Sequence, residues 1–150
     1  MTRRPRLPRR VHRFAGDERG AAVVEFAIVV PVLLLLVLGI IDLGRMLAVA
    51  GSLTAAVRDG ARMAAASASP SDAAQITAFK NRVITSFQTL GGPALQASNI
   101  TVTDPTNNGI VTVTVSGYTY QPLTPLFRMI GAGTVTFTRT STFRWERSSI

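Results

Sequence analysis

Hydrophobic and polar positions change rhythm three times along the chain. Residues 21–41, AAVVEFAIVVPVLLLLVLGII, form an almost unbroken apolar run. At about 1.5 Å per residue, a helix of this length spans roughly 31 Å, the thickness of a bilayer's hydrocarbon core. A cleaved secretory signal has a shorter apolar stretch, about 7–15 residues, and ends at a small-residue site. Here the run passes straight into a helical pattern, so it is read as a transmembrane segment that stays. Leu43, Met46, Ala50, Leu53, Val57, Gly60 and Ala64 then recur at spacings of three and four. That seam predicts that the same helix continues over 42–66. Asp42 precedes Arg45 by three and Asp59 precedes Arg62 by three, the favourable order for ion pairs along a helix. A second stripe is small throughout: Gly44, Ala48, Gly51 and Ala55. Each Gly costs about 1 kcal/mol of helix propensity relative to Ala. Either another helix packs closely on this stripe, or it faces the protein's own sheet or solvent.

The segment SASPSD, residues 67–72, breaks the pattern. Ser69 as cap, Pro70 at the first helical position and Asp72 near the third predict a new helix over about 70–88. Ile76, Phe79, Val83 and Phe87 form its apolar stripe, and Gly91-Gly92-Pro93 ends it. From Asn99 the period becomes two. Ile100 and Val102 alternate with threonines, a turn over 105–109 follows, and Val111, Val113 and Val115 continue the alternation. Tyr118 and Tyr120 share the face of these valines only if one residue is inserted, and Gly117 is the natural bulge. Pro122 to Phe127 is a connection, because its two prolines cannot sit in a central strand. A last strand over 134–145 puts Val135, Phe137, Phe143 and Trp145 on one face and Thr136, Thr138, Thr140 and Thr142 on the other. The result is an α+β fold. A long N-terminal transmembrane helix extends into a domain with a second short helix and a three-stranded antiparallel sheet, whose apolar face needs helical cover.

Charge changes this picture at one end only. The chain has 150 residues and a net charge of +8, of which +5 lies in residues 1–20. The basic character is therefore a leader and not a binding face, so no nucleic-acid partner is expected. An Arg-dense flank stays cytoplasmic, which sends the chain beyond Asp42 to the outer side. Cys is absent, and the single His, His12, lies in the leader. Thiolate metal sites, disulfides and the usual nucleophile–base pairs lose their members. No Gly-x-Ser-x-Gly or phosphate-cradling loop occurs. No catalytic residue, metal or cofactor is expected.

The residue with most to explain is Glu25. A carboxylate inside an apolar span costs on the order of a few kcal/mol and marks a functional position. The alternative is that it lies near the interface and reaches the headgroups. Gly20, Ala21, Glu25 and Phe26, behind a basic leader, resemble the processing motif of type IV prepilins of the tight-adherence (Flp-type) class. The wider stretch from Gly20 to Arg62, with Pro31, Asp42, Gly44, Arg45 and the Val-Arg-Asp-Gly-Ala-Arg ending, is similar to the TadE-like family of pilus-assembly proteins.

The resemblance implies a minor pilin or pseudopilin, cut between Gly20 and Ala21 by a prepilin peptidase. Glu25 would then pair with the new ammonium group of a neighbouring subunit. Pro31, which removes one helical hydrogen bond, would bend the helix. Implied partners are the membrane, other pilins or pseudopilins, the prepilin peptidase and the inner-membrane secretion platform. The expected organisation is a leader over 1–20, a span over 21–41, the helix continuation over 42–66 and an outer α+β domain over 67–150. Its place would be the bacterial inner membrane, crossed once with the N-terminus cytoplasmic. The other reading is an unprocessed, signal-anchored protein whose outer domain binds a ligand or partner.

Overall fold

The computed structural model describes residues 18–103, 109–124, 131 and 133–145. Residues 1–17 of the leader, the body of the 105–109 turn and the second half of the Pro122–Phe127 connection lie outside them. Helix α1 runs over Glu18–Ala65 and helix α2 over Ala73–Thr89. A short 3-10 turn, Ala97–Asn99, leads into strand β1 (Ile100–Thr103), followed by β2 (Ile110–Tyr120) and β3 (Val135–Arg144). The strands pair in the order β1-β2-β3, each antiparallel to its neighbour. This is the expected α+β meander, with the long helix first.

Contacts divide the chain into two units, Met1–Val37 and Leu38–Ile150. From Gly20 to Val37 the first is a mostly apolar helix, exposed except at half-buried Val30. The second holds the core. There α1 buries Val49, Leu53, Ala56, Val57, Ala61 and Ala64, α2 buries Phe79, Val83 and Phe87, and the sheet adds Ile100, Val111, Val113, Val115, Tyr118, Tyr120 and Phe137. The predicted α1 seam holds from Leu53 onward, and Met46 and Ala50 pack partly against the core. Leu43 departs from it and is 46% exposed. Cover for the sheet comes from both helices, since the Phe79–Val83–Phe87 stripe enters the same cluster.

Local chemistry explains the element ends. Helix α2 is capped by Asp72 and not by Ser69: the Asp72 side chain accepts from the Ala74 N–H at 3.1 Å, and Pro70 lies in the preceding turn. A carboxylate satisfies a free donor and also opposes the positive end of the helix dipole, which a serine hydroxyl does not. The other end is a Schellman motif. The Gly91 N–H donates to Gln88 O and the Gly92 N–H to Phe87 O, with Gly91 at φ +79°. In the sheet, Val115 pairs with Arg139 but Tyr118 pairs with Phe137, so two residues of β2 face one of β3. Gly117, at φ +69°, is the bulge, and it returns both tyrosines to the buried face. Tyr118 then meets Phe87 edge to face, with centroids 5.5 Å apart.

The helices meet where α1 carries Gly60. A Cβ there would overlap the Val83 side chain, so the close approach requires glycine. Beside this crossing Asp59 pairs with Arg82 of α2 at 2.7 Å, where the sequence spacing had suggested Arg62. Both side chains are partly exposed, so the pair contributes at most about 1 kcal/mol. The Trp145 indole N–H donates to Ser67 O at 2.9 Å and fastens the end of β3 to the chain just after α1.

Gly60→Ala should destabilise the protein by about 1–3 kcal/mol, because Val83 is β-branched and rigid in its helix. Gly51→Ala, whose Cβ would meet open space, should instead stabilise by up to about 1 kcal/mol. Thermal unfolding of the detergent-solubilised full chain, followed by circular dichroism, checks both signs.

Candidate functional site: the apolar helix and Asp42

The first turns of α1 carry the residues singled out in the sequence. Gly20, Ala21, Glu25, Phe26 and Pro31 all lie in helical conformation and all are exposed. The helix runs through Pro31 unbroken. Around Glu25 the surface is hydrocarbon: Val23 is 67% exposed and Phe26 70%, and Val24, Ile28 and Val29 are exposed as well. The most apolar stretch of α1 has a mean hydropathy of 2.9, with none of it buried inside the protein. A core helix of a soluble domain hides such side chains. A contiguous apolar surface of this length needs lipid or other helices around it. The helix is long and apolar enough to cross a membrane.

One residue past this run, Asp42 is 1% exposed and is the single buried charged side chain among the described residues. The Leu123 N–H donates to Asp42 Oδ1 at 3.0 Å, the Thr124 N–H to Oδ2 at 3.1 Å, and the Thr124 hydroxyl to Oδ2 as well. Three donors from the β2–β3 connection thus converge on one carboxylate. The expected ion pair with Arg45 gives way to this clasp, because buried oxygens are better served by fixed backbone donors than by a flexible exposed guanidinium. The Thr124 hydroxyl does most to hold the Asp42 carboxyl below the ordinary aspartate value of 3.8. Burial opposes it, and the Thr124 and Leu123 N–H groups and the charge of Arg45 assist.

The small stripe is also resolved. Gly44, Ala48, Gly51 and Ala55 are all exposed, and nothing approaches within 4 Å of the Cβ positions of Gly44 and Gly51. The sheet therefore does not pack on them. Among the described residues no group of three or more His, Cys, Asp or Glu side chains could hold a metal ion.

The family model described as TadE-like protein matches residues 20–62. The N-terminal helix is TadE-like. The TadE-like segment begins at Gly20, includes Glu25, Pro31 and Asp42, and ends within α1 at Arg62. It leaves α2 and the sheet outside the match, and neither a curated protein nor a solved structure matches the chain.

The Asp42 clasp was not expected from the TadE-like segment's spacing, which presented Asp42 as a helix-surface residue. A signal was nevertheless present. A carboxylate directly after a long apolar run, and a proline-bounded connection that must pack somewhere, are both polar problems seeking a solution. Pairing them required the fold.

Asp42→Ala should detach the connection and lower the unfolding midpoint by several degrees, whereas Thr124→Val should cost less because both backbone donors remain. The folded carboxyl titrates below its unfolded value, so its contribution is complete at neutral pH and disappears as pH falls past 3.8 through the depressed folded value. Acid titration of stability should show this extra loss in the wild type and not in Asp42→Asn.

Proposed function

We propose that the protein is a minor pilin or pseudopilin that takes part in assembling a tight-adherence type IV pilus. The observation that carries this reading is the TadE-like match over 20–62, centred on an apolar helix that bears a lone exposed carboxylate at Glu25. Its work is contact between proteins, with no catalytic step of its own. The Arg-rich leader keeps the N-terminus cytoplasmic, residues 21–41 cross the inner membrane once, and the domain that follows lies on the outer side. A prepilin peptidase cuts between Gly20 and Ala21.

Cleavage leaves an ammonium group on Ala21. In an assembled bundle, Glu25 of one subunit pairs with the ammonium of the next, and two charges that are costly apart are neutralised together. A pair of this kind adds little net stability but penalises any axial register that leaves a charge alone. The exposed stripe of Gly44, Ala48, Gly51 and Ala55 suits close helix packing with other pilins, because small side chains let backbones approach. The inner-membrane secretion platform is the remaining partner in this scheme.

Intact-mass measurement of the protein from membranes should show loss of the first 20 residues. A chain that retains them would be an ordinary signal-anchored protein whose outer domain binds some other partner. Glu25→Gln should leave membrane insertion unchanged and reduce pilus assembly at least tenfold, scored by electron microscopy of surface filaments. Normal piliation would remove Glu25 from the mechanism.

A further inference from the structure

We propose that the start of the β2–β3 connection, at Leu123, is a second membrane-contacting element: Asp42 clasps Leu123 and Thr124 to the first turn beyond the span, and the Leu123 side chain enters the lipid interface. Asp42 follows the last residue of the apolar run, and a helix rises only about 1.5 Å per residue. The Leu123 N–H, 3.0 Å from the Asp42 carboxylate, is therefore held level with the end of the span. Leu123 is 68% exposed, among the most exposed large apolar side chains described in the chain. A lone exposed leucine needs no explanation on a soluble surface. Tethered at the hydrocarbon boundary, it has one apolar solvent within reach.

Three further observations favour lipid over a protein partner. Irregular backbone at the edge of the hydrocarbon is tolerated only when its polar groups are satisfied, and the Leu123 and Thr124 N–H groups are satisfied by Asp42. The helix surface at the same level is apolar and uncovered, with Ile40 62%, Ile41 50% and Leu47 61% exposed. Exposed Arg45, one turn from Asp42, suits the phosphates of anionic headgroups. This inference rests on residues 21–41 spanning a bilayer and is independent of the pilus assignment.

The chain has no cysteine, so a single nitroxide label can be introduced at will. The full chain would be reconstituted in vesicles of phosphatidylethanolamine and phosphatidylglycerol, with labels at Leu34→Cys, Leu123→Cys or Thr142→Cys. Power-saturation measurements would give the ratio of collisions with oxygen to collisions with a water-soluble nickel complex. The ratio at Leu123 should exceed that at Thr142, an exposed strand position, at least threefold, and lie below that at Leu34. Adding Asp42→Ala, which removes the acceptor of all three bonds, should move the Leu123 label toward the Thr142 value. A Leu123 ratio equal to that of Thr142, with Leu34 deep in lipid, overturns the proposal and leaves the span intact. A Leu34 label in water removes the span and the proposal together. Spin–spin broadening at Leu123 would mean that a second copy covers it, which also overturns the proposal, as does a lipid-embedded Leu123 indifferent to loss of the clasp.

Discussion

Helix α1 must satisfy two different solvents along one continuous run of backbone hydrogen bonds, and most of the structure follows from how it does so. From Val23 to Leu38 nearly all its large side chains are exposed, and from Val49 onward the same helix buries a seam into the core. A helix supplies all its own backbone partners, so it can pass from hydrocarbon to water without leaving a donor exposed. Side chains carry the whole change of environment.

Two carboxylates on this helix illustrate opposite solutions to one cost. Asp42 is buried and answered inside its own chain, by two N–H groups and a hydroxyl from the β2–β3 connection. Glu25 stands on an apolar surface with nothing from the chain's described residues answering it. In the proposed assembly its answer comes from another subunit. One acid thus organises the subunit; in the proposed assembly the other would organise the filament.

Behind the helix, the domain depends on small backbone devices more than on size. Glycine at position 60 lets α1 and α2 approach closely, and the Schellman turn at Gly91 and Gly92 stops α2 under the Phe87 ring. The Gly117 bulge turns Tyr118 and Tyr120 inward, where they meet Phe87 edge to face and Phe137 at a tilt. Without the bulge, the pleat would place both tyrosines among the exposed threonines, because successive residues alternate faces. With no disulfide to constrain it, a domain of this size is held by packing of this quality.

Periodicity is a local property, and what it governs was legible residue by residue. The apolar run, the long helix, the α2 stripe, the bulge at Gly117 and the threonine-bearing face of β3 all follow from spacings of three to four or of two. The TadE-like character was equally local, carried by Gly20 to Arg62. Competition between partners is not local. Whether Asp72 or Ser69 caps α2, whether Asp59 pairs with Arg62 or with Arg82, and whether Asp42 faces Arg45 or a strand connection 81 residues away depended on which groups the fold brought within hydrogen-bond distance. Only the tertiary structure decided these, because a carboxylate takes the donor that the folded chain delivers and not the one that lies nearest along the sequence.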